Sequence, residues 1–375
     1  DRRDCVGLRA RTRPCARSAG LALRTTAPGL RVGVRDNSGG ATVKRASVLI
    51  ARQVFPDVVA CLREHFEVET NDEPVDWPRD ELIRHLQGKQ GLFVAATEPV
   101  DATLVAACPD LRAVCSMAVG YNNIDVAACA ARGIVVTNAP DVLTETTADF
   151  GFALMMAAAR RVTESERFLR EGRWQRWSVD FFCGADVHGA TLGILGMGRI
   201  GQAIARRGAL GFGMPVVYHN RSPLPLALEA PLGARWVDKD ALMRQADHLV
   251  IVVPYSKASH HAVGVREIAL MKPTATLTNV ARGGVVDDAA LAQALAQRRI
   301  AAAALDVFEG EPAVHPGLLA LPNVVLTPHI ASATEATRRA MAQLAADNLI
   351  AVLGGGAALT PVTPAPASAP SGQAP

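Results

Sequence analysis

The stretch TLGILGMGRIGQAIARRGALGFGMPVVYHNRS, residues 191–222, decides the fold. Thr191 to Leu195 is a short apolar run ending in a glycine turn, Gly196-Met197-Gly198-Arg199-Ile200-Gly201. A helical pattern follows, then a second apolar run from Val216 to Tyr218. Strand, tight turn, helix and strand in that order make half of a dinucleotide-binding fold. Gly196 permits the sharp turn, Gly198 lets backbone approach a pyrophosphate, and Gly201 lets helix and strand pack closely. The helix amides after Arg199 then face the phosphates with a favourable dipole. The bland alternative is an ordinary strand-to-helix turn; the two flanking strands favour the dinucleotide.

The end of the second strand speaks to which dinucleotide. An NAD site usually carries Asp or Glu there, bonded to the ribose 2′-hydroxyl. Here the strand ends Tyr218-His219-Asn220-Arg221-Ser222, without a carboxylate. A carboxylate would repel a 2′-phosphate, whereas Arg221 can clamp one and Ser222 can donate to it. The expected cofactor is therefore NADPH, with NADH as the second possibility.

At 375 residues the chain has room for two domains, and its 49% apolar and 20% charged composition is ordinary for a globular protein. No apolar run reaches membrane-spanning length. Seven cysteines, at 5, 15, 61, 108, 115, 129 and 183, are scattered without a C-x-x-C pair. That points to reduced thiols in a cytoplasmic protein and against a metal site or disulfide frame. Residues 1–45 hold ten Arg and one Lys against three Asp, an excess that leaves the rest of the chain net acidic. Nothing in that acidic body suggests a nucleic-acid groove. The Arg-rich start partly fits a targeting presequence; the preferred reading is a disordered or non-native leader, with Val43 as a candidate start.

Fold signals begin at Ser47. Strands are expected at 47–53, 68–70, 91–97, 112–120 and in IVVTNAP, alternating with helices at 57–66, 79–86, 100–107 and 124–132, the last closed by Gly133. Such alternation means a parallel sheet covered on both faces. Leu143 to Arg170 reads as one long helix crossing to the second lobe, capped by Thr144 or Thr147 and stopped at Gly172. The aromatic stretch 172–189 either covers a partner or active site or packs locally. The second lobe continues with helix 239–246 and strand 248–254. Strand 275–282, helix 288–298, strand 301–308 and strand 322–328 complete it. Ser332-x-x-Glu335 reads as a capping box opening a helix to about Leu353. The Pro/Ala/Gly-rich residues 355–375 read as a disordered tail. The fold class is α/β, two Rossmann-like domains.

Three polar residues sit just beyond second-lobe strands, where α/β sheets place their ligand crevice: Arg282, Glu311 and His329. Each alone has a bland reading as a solvated charge or a structural histidine. Together they suit reduction of a 2-keto acid. Arg is a fixed, bidentate partner for a carboxylate and polarises the adjacent carbonyl. His can protonate the nascent alkoxide near neutral pH. A neighbouring carboxylate favours the imidazolium.

At these residues the sequence resembles the D-isomer-specific 2-hydroxyacid dehydrogenase family, within it the glyoxylate/hydroxypyruvate reductase B (2-ketogluconate reductase) branch. The likeness runs from about Ser47 to Leu353 and rests on VGYNN (119–123), NAPDVLTETTAD (138–149), LGMGRIGQAIARR (195–207) and YHNRS (218–222). It continues in NVARGGVVDDAAL (279–291), LDVFEGEP (305–312) and TPHIASAT (327–334). The resemblance implies a flavodoxin-like substrate-binding domain, 46–146 plus 328–354, around an NAD(P)-binding domain, 147–327, and a homodimer formed through the latter. It implies that Arg282 binds the substrate carboxylate and carbonyl, that His329 is the proton donor, and that Glu311 orients it. The amides of Val119 and Gly120 would hold the carboxylate. Asp306, with Val280 and Ala281, would anchor the nicotinamide carboxamide, and Val253 and Pro254 would line the adenosine side. The cofactor set is then Gly196, Met197, Gly198, Arg199, Ile200, Gly201, Asn220, Arg221, Ser222, Val253, Pro254, Val280, Ala281 and Asp306. Ala331 departs from the usual Gly after His-Ile, and the partner-facing aromatic of related reductases falls near Phe181. The implied reaction is NADPH-dependent reduction of glyoxylate, hydroxypyruvate or 2-ketogluconate to a (2R)-hydroxy acid. The alternatives are an NAD-linked D-2-hydroxyacid dehydrogenase and a nucleotide-sensing corepressor of the same fold.

Overall fold

The computed structural model describes residues 45–364; the expected leader, up to residue 44, and residues 365–375 of the tail lie outside them. Two parallel sheets form the frame. The first contains β1 (Ser47–Ile50), β2 (Glu67–Thr70), β3 (Gly91–Val94), β4 (Ala113–Ser116) and β5 (Val135–Thr137), in the order β2-β1-β3-β4-β5. The second contains β6 (Leu192–Leu195), β7 (Val216–His219), β8 (Arg235–Trp236), β9 (His248–Ile251), β10 (Thr276–Asn279), β11 (Ala302–Leu305) and β12 (Val324–Leu326). Its order is β12-β11-β10-β9-β6-β7-β8, so the chain reverses direction between β6 and β9. Both orders are those of doubly wound folds, whose ligand crevice lies beyond the carboxyl ends of the strands at such a switch point. The two Rossmann-like domains of the α/β reading are what the structure shows.

The central strands are short continuous apolar runs because helices cover both of their faces. LGIL of β6 and HLVI of β9 are buried at every position. Two helices join the lobes. The helix Thr144–Ala159 places Phe152, Leu154 and Met155 in the core of the second sheet, with Ile194, Val250 and Ala304. The helix Glu335–Leu353 follows the last strand of the second sheet but packs Met341, Ala342, Ala345 and Leu349 against Val48, Ile50 and Phe93 of the first. The chain thus crosses between the sheets near 138–146 and again near 327–335. Thr146 and Thr337, one on each crossing helix, share a hydroxyl hydrogen bond of 2.6 Å.

Three expectations are corrected. The helix expected from 143 to 170 is two helices, Thr144–Ala159 and Val162–Arg170, broken at Arg161 with φ of +55°. No glycine or proline marks that break. The carbonyl of Ala159 accepts from the amide of Ala185 at 2.9 Å, and Gly184 lies so close that a Cβ would sit 2.3 Å from that carbonyl oxygen. Arg161 then forks onto Glu164 with two bonds, of 2.8 and 2.9 Å, starting the second helix. A distant segment, not a local stop signal, ends the first helix, and neither Thr144 nor Thr147 caps it. The cap of the last helix is Thr334, whose hydroxyl accepts from the amide of Thr337 at 3.2 Å, in place of Ser332. The tail does not part from the fold at 355. Val362 donates to the carbonyl of Val136 at 2.8 Å, and Pro361 lies against Thr137 as a one-residue antiparallel bridge on the edge strand β5. Proline supplies no donor, so it is tolerated at such an edge.

Candidate active site

The turn after β6 shows how its three glycines act. Gly196 has φ of +104°, and a Cβ on it would come within 2.8 Å of the backbone nitrogen of Val253. A Cβ on Gly201 would sit 2.3 Å from the carbonyl oxygen of Gly196. Gly198 meets nothing within 4 Å. The turn is therefore packed on two sides and open on the third, over the first amides of the helix Arg199–Arg206. That open cradle fits a pyrophosphate. Asn220 latches it from the end of β7: its Oδ1 accepts from the Met197 amide at 2.7 Å, while its own carbonyl accepts from Trp236 Nε1 at 3.0 Å. Arg221 and Ser222 follow, both exposed, and Arg221 makes no hydrogen bond or ion pair among the described residues. Arg199 pairs across the lobes with Asp141 at 2.7 Å. Val253 lies against the turn, and Pro254 follows it on the surface.

Arg282 stands in the bend after β10. Asn279 shapes that bend, accepting from the Ala281 amide at 3.0 Å and donating to the Arg282 carbonyl at 3.3 Å. Val280 and Ala281 are buried beneath it. The guanidinium crosses to the first lobe. Its Nε lies 3.4 Å from Asn122 Oδ1, and a Cβ on Gly120 would sit 2.1 Å from its Nη2. A side chain at 120 would have to displace the guanidinium. Burial lowers the pKa of Arg282, with Glu311 opposing the shift, and an arginine so placed stays charged. Val119 and Gly120 are half-buried, and the Val119 carbonyl accepts from Asn138 Nδ2 at 2.8 Å.

His329 has φ of +53°, a left-handed conformation unusual for a side-chain-bearing residue. The buried Asp306 holds its turn. Asp306 Oδ1 accepts from the Thr327 hydroxyl at 2.7 Å and the Ile330 amide at 2.9 Å, and Oδ2 from the Ala331 amide at 2.7 Å. The His329 amide donates to the Asp306 carbonyl at 2.8 Å. Burial pushes the Asp306 carboxyl above its ordinary value against these donors. His329 Nδ1 meets Glu311 Oε2 at 2.8 Å, and Oε1 accepts from the Phe308 amide at 2.9 Å. Burial raises the Glu311 carboxyl, but His329, the Phe308 amide and Arg282 together hold it below the ordinary carboxylate range. Glu311 bonded to Nδ1 fixes the orientation of the ring and leaves Nε2 without a hydrogen-bond partner among the described residues.

Ala331 poses no obstacle, because the left-handed residue of this turn is His329 and Ala331 is buried with its amide on Asp306. Phe181 packs edge-on with Phe168 and Phe182, while Trp174, Trp177 and Val179 of the same stretch are exposed. Asn122, Asn138 and Asn279 are supporting residues that the sequence reading missed; all lie within quoted motifs, and only the contacts between motifs reveal them. Sequence reading also foresaw no metal site. Among the described residues His260, His261 and Glu309 form one cluster with ligand-type atoms within 4.8 Å of one another, and His261 Nε2 pairs with Glu309 at 3.0 Å.

The family model described as the NAD binding domain of D-isomer specific 2-hydroxyacid dehydrogenases matches residues 152–331. The glyoxylate reductase of Thermococcus onnurineus is 45% identical over 315 residues, 83% of this chain and 94% of that protein. Among solved structures, TT0316 of Thermus thermophilus aligns with a TM-score of 0.79 and 39% identity over 84% of this chain and all of that one. An NADPH-dependent glyoxylate/hydroxypyruvate reductase of Sinorhizobium meliloti, solved with NADP and malonate, aligns with a TM-score of 0.75 and 38% identity over 85% of this chain and 97% of that one. No helix among the described residues is long and apolar enough to cross a membrane. With a nucleotide cradle on one strand edge and relatives this similar over nearly their full length, the chain belongs to the D-isomer specific 2-hydroxyacid dehydrogenase family and is an NAD(P)-dependent oxidoreductase.

Proposed function

We propose that this protein reduces small 2-keto acids, with glyoxylate, hydroxypyruvate and 2-ketogluconate as candidates, to (2R)-hydroxy acids at the expense of NADPH. One observation carries the reading: a His329–Glu311 pair of 2.8 Å on the same strand edge as Arg282, which itself reaches the Gly120 loop of the other lobe. The activities of those relatives, glyoxylate and glyoxylate/hydroxypyruvate reduction, support the substrate class. The glycine turn would cradle the cofactor's pyrophosphate and Asp306, Val280 and Ala281 would face its nicotinamide, which when bound would supply the hydride for the keto carbon. Arg282 and the amides of Val119 and Gly120 bind the substrate carboxylate, and Arg282 polarises the carbonyl. His329 delivers a proton from Nε2 to the nascent alkoxide, a step worth roughly 10²–10⁴ in rate. Glu311 bonds Nδ1 and so fixes the orientation of the ring. Residues 46–146 with 328–354 are read as the substrate domain and 147–327 as the cofactor domain, with the cleft between them closing to exclude water.

NADPH preference follows from the β7 terminus. The neutral Asn220 is engaged with the Met197 amide, and the unpaired, exposed Arg221 beside Ser222 suits a 2′-phosphate. The exposed Trp174, Trp177 and Val179 support a homodimer through the cofactor domain; light scattering at twice the chain mass is expected, and a monomer at micromolar concentration would refute it. The deciding experiment is a steady-state panel of NADPH or NADH against glyoxylate, hydroxypyruvate and 2-ketogluconate. Rapid oxidation of NADPH with at least one of them is the expected result. Faster turnover with NADH would point to an NAD-linked relative. Cofactor binding without turnover on any pair would point to a nucleotide sensor.

A further inference from the structure

Asn348 lies fully buried in the last helix, and each of its polar atoms is engaged. Its Oδ1 accepts from the amides of Leu359 at 2.9 Å and Thr360 at 3.1 Å; its Nδ2 donates to the Leu344 carbonyl at 2.8 Å and the Thr360 hydroxyl at 2.9 Å. The Thr360 hydroxyl in turn donates to the Asn138 carbonyl at 2.6 Å, and the Asn138 amide donates back to the Thr360 carbonyl at 3.3 Å. Asn138 Nδ2 then reaches the Val119 carbonyl at 2.8 Å, while the adjacent Ala139 amide holds the Ala118 carbonyl at 2.9 Å. An unbroken run of hydrogen bonds therefore leads from the helix, through the C-terminal segment, to the backbone beside Gly120.

Covering the exposed edge of β5 requires only backbone pairing, such as the bond from Val362 to Val136. The Asn348, Thr360 and Asn138 side chains do something more specific. They fix the register of the segment and pass it to the loop of the first lobe that carries Gly120 and Asn122 beside Arg282. At that loop the two lobes meet closely, the Arg282 guanidinium lying where a Cβ on Gly120 would sit. We propose that Thr360 and Asn138 are positioning residues for the substrate: the C-terminal segment acts as a strap that, through Asn138, sets where the Val119–Gly120 amides meet the substrate carboxylate. This rests on the reading of those amides as carboxylate ligands.

The test compares Thr360→Val, which keeps the shape and removes the hydroxyl, with Thr360→Ser, which restores it, in the full chain. Three quantities are measured: KM and kcat for the best keto acid, the inhibition constant of oxamate as a 2-keto acid mimic, and the NADPH dissociation constant by nucleotide fluorescence. Thr360→Val is expected to raise KM and the oxamate constant by about tenfold, the scale of one lost hydrogen bond in a pre-organised site, with kcat and NADPH affinity little changed. Thr360→Ser is expected to return both to the parent values. Unchanged KM and oxamate constants in Thr360→Val overturn the strap. So does a parallel loss of kcat, NADPH affinity and melting temperature, which would make Thr360 a general stabiliser. A parent enzyme that turns over no keto acid refutes instead the site reading beneath the proposal. A parent that does turn over, with an indifferent Thr360→Val, refutes the strap alone.

Discussion

Two turns leave the carboxyl edge of the second sheet, one after β6 and one after β12, and each contains a left-handed residue. In the first that residue is Gly196, at φ of +104°, which carries no Cβ to strain. In the second it is His329, at φ of +53°, a conformation that costs on the order of 1–3 kcal/mol for a non-glycine residue. The glycine turn is shaped mainly within six consecutive residues, with Val253 packed against Gly196 and one latch from Asn220. The His329 turn is held from outside, by three bonds onto the carboxylate of Asp306 and by the Glu311 clamp. A turn that binds can thus be written locally, whereas one that presents a reacting side chain in a strained pose needs neighbours to over-determine it.

If the two turns have separate duties, changing one should leave the other's measurement intact. The largest effect belongs to His329→Ala: turnover of the best keto acid is expected to fall by about 10²–10⁴ while NADPH affinity stays near the parent value. Retained turnover in the folded variant, or lost nucleotide binding, breaks the division. Gly201→Ala tests the other turn. Its Cβ meets the Gly196 carbonyl oxygen at 2.3 Å, so helix and turn must part, at a cost of about 1–3 kcal/mol in thermal stability together with weakened NADPH binding. Gly198→Ala, which meets nothing within 4 Å, should weaken NADPH binding without that loss of stability. Equal melting temperatures for the two variants would contradict the packing described here.

The smallest effect sharpens the His329 side. Glu311→Gln keeps an acceptor for Nδ1–H but removes the charge, so a modest loss of turnover is expected at neutral pH with NADPH affinity unchanged. The same charge also acts on stability. The Glu311 carboxyl lies below its unfolded value, so its contribution is present above the unfolded carboxyl range and lost as pH falls through the folded value. The melting-temperature gap between parent and Glu311→Gln should therefore close as pH falls through the acid range. A constant gap would show that the charge of Glu311 does not stabilise the fold.

Much was legible from the chain alone. Apolar runs of four or five residues alternating with helical patterns announced two parallel sheets, because a strand buried on both faces tolerates little else. The glycine turn was legible because its three glycines fall at their spacing within one strand–turn–helix unit. Arg282, Glu311 and His329 could be singled out by residue type and by their place after strands. Contacts distant in sequence decided the remainder. Arg161 breaks a helix that carries no stop signal, because Ala185 takes the carbonyl of Ala159. Thr360 and Val362 leave a tail of disordered composition to bond Asn138 and Val136. Asp306 is bonded to the His329 turn, a partnership no spacing revealed. Local sequence sets propensity and pattern; which carbonyl, amide or carboxylate completes a distant neighbour's hydrogen bonds is settled only when the lobes pack and every buried polar group must find a partner.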